Sequence, residues 1–140
     1  EFGVPADVFS VTSFSELRRE ALDAERWNML HPDQPRKVPY VQGCLAGRTG
    51  PFVAATDYMR VVPDQIREWV PVRYHVLGTD GYGRSDSRAA LRDFFEVDRR
   101  WIAVAALKAL ADEGRLDVAT VKSAMERFGI DPGKPNPVTV

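Results

Sequence analysis

The chain has 140 residues, 44% of them apolar and 28% charged, and its 19 basic residues nearly cancel its 20 acidic ones. That length suits one domain with a real core, and the balance excludes a disordered chain, which needs low hydrophobicity and a large net charge. No block of Lys and Arg is available to neutralise phosphates and no apolar run is long enough to span a bilayer, so neither nucleic acid nor membrane is an expected partner.

Asp7-Val-Phe-Ser-Val-Thr12 is β-branched and aromatic and predicts a strand. Ser13 and Glu16 follow at capping-box spacing, which predicts a helix over about 14–29 with Leu17, Ala21, Leu22, Ala24 and Met29 on one face. His31-Pro-Asp-Gln-Pro35 ends that helix. A short turn or helix is expected over 39–45, then a turn at Gly47–Gly50 and a fully apolar run, 51–56, that suits a strand buried on both faces. A helix over about 59–69 and a third strand, Tyr74–Leu77, come next. Beyond the loop Gly78-Thr-Asp-Gly-Tyr-Gly-Arg-Ser85, helices are expected at about 86–95, 99–112 and 118–128. Asp98 and Asp117 stand at N-cap positions, and Gly114 and Gly129 where helices stop.

Alternation of strand and helix predicts an α/β fold, a small mostly parallel sheet between two helical layers with extra helices at the C-terminus. Residues 1–130 are expected to form the domain and 131–140, rich in proline, a tail outside regular structure. Trp101–Leu107 is apolar almost all round, which suits a central helix or a face that meets another subunit.

The loop carrying Gly78, Asp80, Gly81, Tyr82, Gly83, Arg84 and Ser85 is the candidate site. A glycine-rich turn between strand and helix is where open α/β sheets bind anions. Its spacing fits neither well-defined phosphate loop, and Asp80 and Asp86 would repel a phosphate. The favoured reading is that its glycines supply backbone freedom and that Ser85 or Asp86 caps the next helix. His75, mid-strand, reads as a packed, hydrogen-bonded core histidine, and His31 as a cation suited to a helix C-terminus. The two histidines and the remote Cys44 do not make a metal site. Cys44 reads as a buried thiol, and Phe9, Phe14, Trp27, Phe94, Phe95 and Trp101 as core. Glu16, Arg18, Arg19 and Glu20 read as a solvated face. The lone cysteine and the lack of a signal-peptide pattern fit the cytoplasm. The chain does not begin with Met, so its natural start is expected elsewhere.

Several stretches resemble a known family. They are Val11-Thr-Ser-Phe-Ser-Glu-Leu-Arg-Arg19, Arg26-Trp-Asn-Met-Leu-His-Pro32, Ala55-Thr-Asp-Tyr-Met59, Leu77-Gly-Thr-Asp-Gly-Tyr-Gly-Arg-Ser-Asp-Ser87, Phe95-Glu-Val-Asp98 and the closing Asn136-Pro. In this order they look like the C-terminal, transketolase-like third domain of the homodimeric bacterial type of pyruvate dehydrogenase. The resemblance implies a parent enzyme that decarboxylates pyruvate on thiamine diphosphate and magnesium and then acetylates lipoyl groups. It implies that the upstream domains build the cofactor site and that this domain contributes no catalytic, cofactor-binding or metal residue. The expected partners are those catalytic domains, a second copy of the chain and the dihydrolipoyl acyltransferase core. Three roles are open: a structural domain that supports the dimer, a docking module for another subunit of the complex, or an anion-regulated domain acting through the Gly78–Ser87 loop, in which a phosphate-type ligand would raise the melting temperature. The family's cofactor-holding Gly-Asp-Gly is matched only in part by Thr79-Asp-Gly81, and the asparagines Asn28 and Asn136 do not complete it.

Overall fold

A computed structural model describes residues 2–140. The first helix, α1, spans Phe14–Leu30. The Ser13 hydroxyl accepts from the Glu16 N–H at 3.2 Å, a cap typically worth about 1 kcal/mol. Only that half of the capping box forms as read, because the Glu16 carboxylate pairs with Arg19. Ala21 and Ala24 are buried and Leu17 packs beside them, but Leu22 and Met29, expected on the same face, are exposed. The inward stripe of α1 is therefore narrow and built from small side chains.

The short helix α2, Tyr40–Leu45, buries Val41 and Leu45. Strand β1, Phe52–Ala55, pairs in parallel with β2, Tyr74–Leu77, in the register Phe52–Tyr74 to Ala55–Leu77. Alternate residues Phe52, Ala54, Tyr74 and Val76 pack against Ala21, Val41, Ile66 and Trp69, which belong to the helical layer on one side. The opposite side meets α5, Arg99–Asp112. The three-layer α/β/α arrangement follows from this alternation.

Four expectations change. Residues 7–12 are not a strand: β propensity becomes structure only where backbone groups find a ladder partner, and the sheet among the described residues contains β1 and β2 alone. β1 is not buried on both faces; Phe52, Val53 and Ala54 are half-buried and Ala55 is exposed. The single helix expected over 59–69 is instead α3, Val61–Asp64, followed by a 3-10 turn, Arg67–Trp69. Pro63 is the reason: in a helix already running from Met59 its ring would strike the carbonyl of residue 59, whereas in a first turn its missing N–H costs nothing. Finally, α4 is shorter than expected, Arg88–Phe94, and is capped by Ser87 rather than by Ser85 or Asp86.

α5 and α6, Val118–Phe128, have their expected bounds. The Asp98 carboxylate accepts from the N–H groups of Arg100 and Trp101, and Asp117 from that of Ala119. α6 stops at Gly129, whose φ of +65° is left-handed. Leu107, Val121 and Ala124 form the buried seam between α5 and α6. Trp101 through Ala106 are half-buried, so the apolar helix is central, packed between sheet and α6, rather than a bare face.

The two strand ends are locked by one close approach. A Cβ on Gly78 would lie 2.7 Å from the Tyr58 carbonyl oxygen and 2.8 Å from the Arg60 nitrogen, whereas one on Gly83 would meet nothing within 4 Å. Gly78→Ala should therefore lower the urea midpoint by the equivalent of about 1–3 kcal/mol, as overpacking does, while Gly83→Ala should change it by less than about 0.5 kcal/mol. Equal midpoints for the two variants would refute the packing assignment.

Candidate functional site

Asp57, just past β1, and the loop that follows β2 lie at the carboxyl ends of the strands, the place where open α/β sheets form ligand crevices. The loop is stitched to the turn after β1. Thr79 N–H donates to the Tyr58 carbonyl at 2.9 Å, and its hydroxyl donates to that of Asp57 at 3.3 Å. Asp80 accepts from the Arg60 N–H at 3.1 Å, and its other oxygen lies 3.4 Å from Arg60 Nε. Gly81 has φ +112° and sits under the C-terminal tail: a Cβ there would be 2.6 Å from the Pro137 carbonyl oxygen. Glycine is required at 78 for space and at 81 for both space and backbone conformation.

Between this loop and α4 lies a cleft of about 440 Å³, lined by Asp57, Thr79, Gly81, Tyr82, Gly83, Arg84, Asp86, Arg88, Leu91, Arg92 and Phe95. Asp57 is its charged hub. Arg88 Nη2 is 3.4 Å and Arg92 Nε 3.2 Å from its two oxygens. The Arg92 Nε is buried and makes no hydrogen bond, so its attraction to Asp57 is one of charge and not of an aligned N–H. Arg84 lies with its guanidinium 4.0 Å over the Phe94 ring. Tyr82 is exposed at the rim, and Ser85 lines a smaller hollow next door with Arg84 and Phe94.

Of the candidate loop, Gly81, Tyr82, Gly83 and Arg84 reach the cleft; Gly78 is buried beneath it and Asp80 faces Arg60. Reading the sequence missed Arg88 and Arg92. Their i, i+4 spacing places them on one face of α4, and the parallel crossover brings Asp57 to that face.

The cleft is bounded by a corner that the tail secures. Phe94 and Phe95 meet edge to face at 5.0 Å, and Phe95 is buried, as read. Lys134 Nζ donates to the carbonyls of Asp93 and Phe94 at 3.0 and 2.7 Å, satisfying the end of α4, and lies 4.9 Å over Trp101. Its partner Glu96, 3.4 Å away, has φ +62°, a strained conformation for a side-chain-bearing residue.

Other candidates lie apart. His31 is where a helix-end histidine belongs: its N–H donates to the Trp27 carbonyl, and its ring stacks on Trp27 at 4.5 Å. Trp27 is half-buried and Phe14 packs against the core, but Phe9 is exposed, with Arg48 4.9 Å over its ring. Cys44 is half-buried rather than buried. Glu16, Arg18, Arg19 and Glu20 are exposed, although Glu20 accepts from the Tyr40 N–H at 2.8 Å. Tyr74 was not singled out, yet its hydroxyl donates to the Pro63 carbonyl at 3.0 Å, and burial pushes its pKa up to about 12.

His75 corrects one expectation. It is half-buried, but its buried Nε2 has no hydrogen-bond partner among the described residues. Burial, aided by Arg73, holds its pKa below the ordinary 6.5, with Asp112 opposing. The unfolded chain thus binds the proton more readily, so stability falls as pH drops through 6.5 and levels off below the folded-state value. Urea midpoints taken from about pH 8 to about pH 5 should fall less steeply in His75→Leu than in the parent. Parallel curves would contradict this.

The residues do not fit a thiamine diphosphate–magnesium site. Asp80 is turned onto Arg60; both ends of the Asn28 amide bond the Lys37 backbone, and Asn136 accepts from the Val138 N–H. Such oxygens do not converge as a hard cation requires, and no group of three acidic, His or Cys side chains among the described residues could hold a metal. No helix among the described residues is long and apolar enough to cross a membrane.

The transketolase-like TK C-terminal domain family matches residues 1–98. Similar proteins include the pyruvate dehydrogenase E1 components of Pseudomonas aeruginosa, 58% identical over 99% of this chain, and of Cupriavidus necator, 51% identical over all of it. That of Escherichia coli K12 is 51% identical over 98%. The chain spans only 16%, 16% and 15% of those relatives' own lengths.

Proposed function

We propose that this chain, which belongs to the transketolase-like C-terminal domain family, is the C-terminal domain of a cytoplasmic, thiamine-diphosphate-dependent pyruvate dehydrogenase and that its work there is structural. On this reading the parent enzyme decarboxylates pyruvate and acetylates the lipoyl groups of a dihydrolipoyl acyltransferase core. Its thiamine diphosphate and magnesium are held by other domains. Residues 1–130 form a body, with 131–140 as its tail, that braces those domains and the second copy of a homodimer; alone it is inactive.

The observation that carries this reading is apolar surface with no cover. Val8 is 93% exposed and Met29 71%; Phe9 and Val11 near Val8, Leu30 beside Met29, and Val38 and Tyr40 further along are exposed too. Large exposed apolar area on a soluble domain marks a contact surface. The relatives' much greater length supplies other domains to make that contact. Rigid support of this kind governs activity without touching a reacting atom, because preorganised sites depend on what holds them.

The test is made in the full polypeptide that carries these residues. Val8→Glu and Met29→Glu change side chains that are mostly exposed in the described chain. They should each lower the dimer fraction in analytical ultracentrifugation and reduce turnover at least about fivefold, a loss of roughly 1 kcal/mol in support. Unchanged sedimentation and unchanged turnover in both would dismiss the structural reading.

A further inference from the structure

The cleft at the carboxyl ends of β1 and β2 has more cation than its own fold uses. Arg84, Arg88 and Arg92 line it against Asp57 and Asp86. Asp80, which the sequence set against an anion, is turned onto Arg60 and does not line the cleft. Two of the guanidinium groups share a single carboxylate: Arg88 reaches Asp57 only at 3.4 Å with its side chain 79% exposed, and Arg92 sits 3.2 Å from it with no aligned hydrogen bond. Arg84 rests on the Phe94 ring. Arginine in this state, weakly paired and positioned by aromatic or ionic contact, keeps free N–H donors for a tetrahedral oxyanion.

The volume, about 440 Å³, exceeds what inorganic phosphate fills and lies in the range of small-molecule sites. Leu91 and Phe95 give it an apolar wall, and Tyr82 at its rim adds an aromatic ring with a hydroxyl. We propose that this cleft binds a phosphate-bearing small molecule, with Arg84 and Arg88 holding the phosphate and the apolar wall receiving the rest. Occupancy draws Arg88 away from Asp57 and ties the Gly78–Ser85 loop to α4. Through Gly81, which touches Pro137, it also bears on the C-terminal tail. The site is separate from the structural role proposed above, since it uses neither Val8 nor Met29.

The experiment uses the full polypeptide and inorganic phosphate as probe, with thermal melting read against chloride at equal ionic strength. Three variants accompany the parent: Arg88→Ala, Asp57→Asn, which frees both arginines, and Arg18→Ala on the exposed face of α1 as control. The expected result is a saturable rise in melting temperature for the parent and for Arg18→Ala. The apparent Kd should weaken at least about fivefold in Arg88→Ala, as loss of a charge-assisted contact requires, and tighten in Asp57→Asn. No saturable rise in the parent overturns the proposal. A response that Arg88→Ala leaves unaltered, or one that Asp57→Asn fails to strengthen, overturns it as well, because the anion would then bind elsewhere or the corner would merely be disturbed.

Discussion

The contact between Gly78 and the backbone of Tyr58–Arg60 is the constraint on which the rest of this domain depends. Two four-residue parallel strands have too few hydrogen bonds to stand alone. They persist because their carboxyl ends are drawn together without an intervening side chain and because a helical layer covers each face. The same approach sets the Thr79 and Asp80 hydrogen bonds to the turn after β1, and these aim the glycine-rich loop at α4.

The C-terminal tail acts on that arrangement from outside. Lys134 closes the carbonyl end of α4 and spans two aromatic rings, while Pro137 packs over Gly81. These contacts compensate for the left-handed Glu96 that lets the chain turn from α4 into α5. A segment without regular structure thereby fixes both walls of the cleft.

Function divides along the same lines. Asp80 is used on Arg60, Asn28 on the Lys37 backbone, Asn136 on the Val138 N–H and Asp98 on a helix start, and no three acidic, His or Cys side chains among the described residues converge on a metal. What remains available is surface: uncovered apolar residues at the N-terminal segment and the end of α1, and a basic cleft on the loop side. The proposed structural role draws on the first of these and the proposed ligand site on the second.

The sequence alone determined what local chemistry settles. Ser13, Asp98 and Asp117 marked helix starts and Gly129 a helix end, because caps act within a few residues. The ordered motifs also identified the family, which the match over residues 1–98 bears out. Only the tertiary structure decided the rest. Residues 7–12 have the composition of a strand but no ladder partner beside them; Pro63 confines α3 to four residues; and His75 loses the hydrogen bond its burial was expected to bring. The cleft was half legible, since Arg84 lay in the loop, but Arg88 and Arg92 became part of it only when Asp57 arrived from another strand. Pairings between distant segments depend on how layers stack, and no pattern confined to a few neighbouring residues encodes that.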